Sequence, residues 1–339
     1  MNTTWLAVTP LDTIMVRDGR PFQMGASSSA KSVPPAPNTL GGVVGAALGR
    51  KVARHIVGPV IGTQDGLMFP APQDIVRDGS TVRRLEVTER EATARSDLDV
   101  EDRQRFSHHL VGEGDPVPDW ISHPGLADWL TGAMPGGQDV PEPPLWTDPA
   151  WVPETRLGLA RHWSGPLAGT AAPGLLYTMT QLRPREGTRF LVGCVDDELL
   201  EIRDDVVPLG GRGRLAEVTV VPGQVLPDPP DDFPGGRLAV YLVTPALLQD
   251  RWWCPSEAKL SAVAVAGPHP VASARPGDDF ASSRLLRWAV PAGSVFFLTF
   301  ESPGKAKAWA GRHHGGLLPN QSPLPIVTAG FGTCLAGRW

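Results

Sequence analysis

The segment from Leu11 to Arg50 constrains the fold more than any other part of the chain, because it dictates a strand, a tight turn, a stiff loop and a helix in that order. From Trp5 to Val16 the apolar residues Trp5, Leu6, Val8, Leu11, Ile14, Met15 and Val16 predict a mostly buried strand kinked at Pro10. Arg17-Asp18-Gly19-Arg20-Pro21 ends it with turn chemistry and leaves Arg17 and Arg20 flanking the reversal. A loop bearing Ser27, Ser28, Ser29, Lys31 and Ser32 follows, stiffened by Pro34, Pro35 and Pro37. Asn38 then reads as an N-cap, and Leu40, Val43, Val44, Ala47 and Leu48 place one apolar face on a helix. Gly41, Gly42 and Gly45 each cost that helix about 1 kcal/mol against alanine. They permit either close packing on a sheet or close approach of a phosphate chain.

With 339 residues, the chain is long enough for about two domains, each with its own core. No run of about 18 apolar residues occurs, and the first residues lack a signal-peptide pattern, so a cytoplasmic protein without a membrane partner is expected. Cys194, Cys254 and Cys334 are far apart and form no C-x-x-C pair, which argues against a disulfide framework or a zinc knuckle. A net charge of −5 excludes a protein that coats nucleic acid with its whole surface. Any nucleic-acid contact must be local. The basic residues are mostly arginine, with lysine only at Lys31, Lys51, Lys259, Lys305 and Lys307. A GC-rich genome accounts for that bias, but not for arginines set among glycines.

Such a set is Gly210-Gly211-Arg212-Gly213-Arg214, between the runs Val206–Leu209 and Leu215–Val220. Glycine backbone lets N–H groups approach a phosphate closely, and the interleaved arginines add charge. A plain hairpin turn is the alternative. Upstream, Leu157 to His162 and Leu175 to Met179 read as the two arms of a long hairpin. Leu67 to Val87 reads as a strand pair turning at Arg77-Asp78-Gly79-Ser80. Residues 111–155, rich in Pro, Gly and Trp, read as an insertion whose tryptophans pack on their own domain or meet a neighbour. Pro222 to Gly236, with five prolines, reads as a linker. A second unit follows: strands at 237–243 and 261–266, a hairpin of Leu285–Val290 with Ser294–Phe300, a helix at 305–310, and a glycine-broken strand at 326–335.

The chemistry of known catalytic motifs is missing. There is no Walker loop, nucleophile elbow or dinucleotide fingerprint. His108-His109 and His313-His314 are adjacent, so neither pair shares a helix face as metal ligands would. His55 reads as a surface or capping residue, and Asp12 and Asp18 as turn residues that satisfy backbone. No metal and no cofactor are expected.

The segments PLDTIMVRDGRPF and PPAPNTLGGVVGAALG resemble the N-terminal signature of the RAMP superfamily of CRISPR proteins, specifically the third subunit of the type III-B (Cmr-module) effector. The likeness continues in order through Arg156-Leu157-Gly158-Leu159, Gly174 to Tyr177, Leu209 to Leu215, Leu242 to Ala246, Val290 to Val295 and Gly330-Phe331-Gly332. It leaves a gap at roughly 90–150. The resemblance implies an α+β fold of tandem ferredoxin-like (RRM-like) domains. The first covers residues 1–221, with an insertion at about 90–155 and a thumb-like hairpin at about 156–180; a linker at 222–236 and a domain at 237–339 follow. It implies a non-catalytic subunit holding the 5′ handle of the crRNA, docking the large polymerase/cyclase-like subunit and adjoining the backbone RAMP subunits. On that basis the RNA-binding residues are Arg17, Arg20, Ser29, Lys31, Ser32, Asn38, Arg156, Arg161, His162, Gly210, Gly211, Arg212, Gly213 and Arg214. A guide-processing endoribonuclease of the same superfamily, or a pure protein scaffold, are the other readings.

Overall fold

The structure, a computed structural model, describes residues 3–17, 30–52, 54–79, 81–90, 105–117, 120–133, 145–146, 149–162, 165–196, 200–211, 213–250, 252–274 and 284–339. The first part of the chain forms β1 (Thr3–Pro10), β2 (Ala30–Lys31), α1 (Pro37–Leu48), β3 (His55–Thr63), β4 (Gly66–Pro70), β5 (Ile75–Asp78) and β6 (Thr81–Arg84). There follow β7 (Glu86–Glu89), β8 (His108–Val111), β9 (Asp115–Pro116), β10 (Trp120–Ser122), α2 (His123–Leu130) and β11 (Leu145–Trp146). The long strands β12 (Trp151–Arg161) and β13 (Ala171–Pro184) precede β14 (Arg189–Val195), β15 (Val206–Pro208) and β16 (Leu215–Val221). The last part holds β17 (Arg237–Leu242), β18 (Ala258–Ala264), β19 (His269–Ala274), β20 (Arg284–Ala289), β21 (Val295–Phe300), α3 (Pro303–His313) and β22 (Cys334–Gly337).

Two antiparallel sheets lie face to face. The larger has the order β11-β10-β4-β3-β14-β1-β16-β15, and the smaller the order β18-β21-β17-β22. Strand sequences explain this layering, because their apolar runs are continuous rather than alternating, as befits strands covered on both faces. In β1, Trp5 and Ala7 turn inward toward the second sheet while Leu6 and Val8 turn toward α1. In β17, Ala239 and Tyr241 face the first sheet, and Leu238, Val240 and Leu242 face the core under α3. The result is four layers: helix, sheet, sheet, helix.

The insertion strengthens this junction. Trp129 of α2 is completely buried in the core between the sheets, and its Nε1 donates to Asp74 at 3.0 Å. Arg84 lies with its guanidinium 4.4 Å from the Trp129 ring, and its Nε is 2.6 Å from the fully buried Asp74 carboxylate. The backbone N–H of Arg338 donates to the Leu130 carbonyl at 2.8 Å, joining α2 to the end of the chain. Trp129 thus packs on its own chain.

Several local expectations are corrected. The first strand stops at Pro10, and Ile14, Met15 and Arg17 each make a single bridge to a different partner. The N-cap of α1 is Ala36, not Asn38, because Pro37 with its fixed φ and missing N–H suits the first helical position. The run Leu67 to Val87 is divided: β4 pairs with β3, and only β5 and β6 form the hairpin at Asp78-Gly79. β20 and β21 form no hairpin, since β20 pairs with β19 while β21 joins β17 and β18. Residues 326–335 hold a 3₁₀ turn at Pro325–Ala329 before β22 rather than one strand. The segment 222–236 is a packed strap, with Val225 and Leu226 in the intersheet core and Phe233 in the core under α3.

Candidate nucleic-acid interface

Residues 11–17 leave the first sheet and tie three elements together in succession. The Leu11 N–H donates to Leu215 O at 3.0 Å, Ile14 exchanges hydrogen bonds with Leu182 of β13, and the Gly211 N–H donates to Met15 O at 2.8 Å. Arg17 bridges Ser32, and the Val33 N–H donates to Val16 O at 2.8 Å. This short run therefore fixes the base of the long hairpin, the glycine-rich turn and the approach to α1 relative to one another.

The glycine-rich stretch is the turn of the β15–β16 hairpin, closed by Leu209 N–H donating to Arg214 O at 2.8 Å. Gly210 has φ +76°, and a Cβ there would lie 2.5 Å from Met15 O. Only glycine allows this turn to touch the crossing segment at Met15. Arg214 then reaches the carboxylate of Asp12 and donates through its second terminal nitrogen to Gln181 Oε1 at 3.1 Å. Thr13 N–H donates to Asp12 at 2.6 Å, and with Arg214, Arg156 and Arg183 nearby this holds the Asp12 carboxyl below its usual range. Beside it, hydrogen bonds from Arg183 and Arg156 hold Glu154 at about 2. The Arg156 Nε lies 2.6 Å from Glu154.

β12 and β13 pair over most of their length, and β2 lies alongside β13 as a third strand, with Ser32 N–H donating to Thr180 O at 3.0 Å. Arg161 and His162 are at the far end of this hairpin, where His162 N–H donates to Thr170 O at 3.0 Å. Lys31 is exposed near its base.

The arms of this arrangement converge on a cavity of about 700 Å³ between the two halves of the chain. Arg17, Asn38, Gly210 and Gly211 line it, together with Trp120 and Phe190. From the second half come Thr244, His269 and Ala272. The N-terminal turn of α1 opens onto this space and carries no acidic residue, so its partial positive charge faces the cavity unopposed from within that turn. The Asn38 Nδ2 donates to Ala272 O at 3.4 Å, which leaves its buried Oδ1 without a partner. Burial lowers the pKa of His269 and favours the neutral ring.

Of the residues anticipated from sequence, Arg17, Asn38, Gly210 and Gly211 come together on the cavity wall. Lys31 and Ser32 lead up to it, and Gly213 lies in the same turn. Arg156 and Arg214 sit nearby with internal carboxylate partners, whereas Arg161 and His162 are at the hairpin's far end. Arg20, Ser29 and Arg212 lie outside the described residues. Gln181, Glu154 and Arg183 were not anticipated, and no second-half residue was named for the site, although Thr244 falls in the matched run Leu242 to Ala246. His55 opens β3, and burial together with Arg54 lowers its pKa.

A two-sheet chain with a long hairpin, and with a glycine turn and a positively biased helix end at one cavity, invites comparison with CRISPR-associated proteins. A family model described as "CRISPR-associated protein (Cas_Cmr3)" matches residues 6–339. The chain belongs to that family, the RAMP-type third subunit of the type III-B Cmr effector. Among solved structures, a chain of "the Type III-B Cmr-beta bound to cognate target RNA" is similar at 16% identity over 86% of each chain, with a TM-score of 0.48. A second, from that assembly bound to target RNA and AMPPnP, is 17% identical over 86% of each chain, with a TM-score of 0.43. No curated protein sequence matches the chain. No helix among the described residues is long and apolar enough to cross a membrane.

Proposed function

We propose that this chain is a non-catalytic RNA-binding subunit of a type III-B effector that holds the 5′ handle of the crRNA along the path from Lys31 through Arg17 to the cavity. The observation that carries the reading is the convergence of Arg17, Asn38, Gly210 and Gly211 on one cavity with aromatic walls. Single-stranded RNA needs both features: apolar or aromatic faces for unstacked bases, and cations or backbone donors for phosphates. The α1 N-terminus and Arg17 suit phosphate, while Trp120 and the exposed Pro34 suit bases. Arg161 and His162, at the hairpin's end, extend the contact to a more distant stretch of guide. Arg156 and Arg214 hold the scaffold through their carboxylates and add positive potential rather than a free fork.

The fold fits two ferredoxin-like units. In the first, β16-β1-β14-β3 is the strand order 4-1-3-2 with α1 between the first and second strands; in the second, β22-β17-β21-β18 is the same order with α3 between the third and fourth. Each unit keeps one of the two helices. In this reading the subunit also docks the large polymerase/cyclase-like subunit, adjoins the backbone RAMP subunits and works in the cytoplasm.

Incubating the purified chain and the assembled effector with labelled repeat RNA tests the reading. The expected result is retention of RNA at full length. Shortened RNA would assign the chain to guide processing, and no binding by either sample would assign it to scaffolding.

A further inference from the structure

The ribbon of β19 and β20 belongs to neither large sheet. One of its faces is packed, with Val271 and Ala289 buried beside Leu247 and Phe331. The other carries Leu286 and Trp288, 60% and 64% exposed. They are two residues apart on one strand and so share a side, with Ala272 and Pro270 opposite them. The β19 side approaches α1, where Asn38 bonds Ala272 O. The β20 side has no partner strand among the described residues; just past its end, Val290 exchanges hydrogen bonds with Ala246. The Arg287 side chain, between the two large apolar residues in sequence, makes no hydrogen bond or ion pair among the described residues.

We propose that β20 is a docking edge for an extended segment of a neighbouring protein subunit, which lies beside it as a third strand. Three observations select that occupant. A two-stranded ribbon is marginal in water, and an open edge presents a row of backbone donors and acceptors that templates another strand. The exposed tryptophan and leucine at i and i+2 match the side-chain period of an incoming strand with apolar residues at alternate positions. The unpaired Arg287, on the alternate side, calls for a carboxylate on that strand. A stacked RNA base would cover Trp288 and leave the edge and Leu286 in water. The inference rests on membership of a multi-subunit effector and not on the RNA path through the cavity.

Hydrogen exchange of the 284–289 amides, measured on the free chain and on the purified effector containing it, tests the proposal. Docking slows exchange in the effector by about tenfold or more, and Leu286→Ser/Trp288→Ser weakens incorporation of the chain by a similar factor. Both side chains are exposed, so the melting temperature of the free chain stays put; if it drops, Arg287→Glu supplies the same test through charge alone. Unchanged exchange, full incorporation of the variants, or cross-links from the 284–290 peptide to RNA instead of protein would each overturn it.

Discussion

Arg214 and Asp12, 202 residues apart in the chain, form an ion pair that locks the glycine turn to the end of the first strand. The pair is partly open to solvent, and Gln181 shares it. Replacing Arg214 with alanine removes two charge-assisted contacts and is expected to cost about 1–2 kcal/mol in stability. In a double-mutant cycle on unfolding, Asp12→Ala and Arg214→Ala couple by about 0.5 kcal/mol or more, and additive effects would break the link. Because the Asp12 carboxyl titrates below its unfolded value, its contribution is present above about pH 4 and fades as pH falls through the folded pKa.

Gly210 and Gly213 both have positive φ, +76° and +67°, but only Gly210 is crowded by a backbone carbonyl. Gly213→Ala therefore costs about 1–2 kcal/mol for the left-handed backbone alone. Gly210→Ala adds a collision with Met15 O and lowers the melting temperature further. Equal melting temperatures for the two variants would remove the contact from the account.

His314 shows how the strap at 222–236 is fastened. Its Nε2–H donates to Pro227 O at 2.8 Å, and its Nδ1 accepts from Ala336 N–H at 3.0 Å, so the bonded form is neutral. Burial lowers its pKa, with Asp228 and the backbone bonds opposing. The unfolded chain takes up a proton at about pH 6.5 while the folded chain resists, so stability falls as pH drops from there toward the folded pKa. His55, His108, His123, His269 and His313 shift in the same direction. Unfolding midpoints measured from pH 7.5 to 5 should decline, and His314→Gln should flatten part of that decline while lowering the midpoint at pH 7.5.

The Asp74–Arg84 pair is a sterner test of the junction between the sheets. Asp74 is fully buried, so Arg84→Ala strands its carboxylate and is expected to cost about 3–5 kcal/mol. Asp74→Asn in the same background should recover part of the loss, since an amide needs no counter-charge. A cost near zero for Arg84→Ala would mean that water reaches the site.

What was legible in the sequence followed from local rules. The apolar period of Leu40 to Leu48 gave α1, the Asp78-Gly79 pair gave a hairpin, and the runs at 190–195 and 215–220 gave central strands. The long hairpin was readable because its two arms lie close in sequence. What failed was nonlocal. Leu285–Val290 and Ser294–Phe300 looked like partners across a Pro-Ala-Gly turn, yet the continuous buried run of Val295 to Phe300 is claimed by β17 and β18. Pro222 to Gly236 looked like bare linker because its three apolar anchors have no period. At the candidate interface, Arg17 and the glycine turn announced themselves by composition, but the pairing of Arg214 with Asp12 and the wall supplied by Thr244 and His269 depend on folding across the whole chain.

The central claim is that RNA phosphates follow the path from Lys31 through Arg17 to the cavity, and the salt dependence of handle RNA binding by the assembled effector tests it most directly. Lys31→Ala and Arg17→Ala should each weaken binding and reduce the slope of log affinity against log salt by about 0.7, the loss for one phosphate contact on a single strand. Asn38→Ala should weaken binding with little change of slope, because its partnerless side-chain oxygen is an acceptor that can take a hydrogen from a base but not from a phosphate oxygen. Unaltered affinity and slope in Lys31→Ala and Arg17→Ala, with the fold intact by thermal melting, would contradict the account.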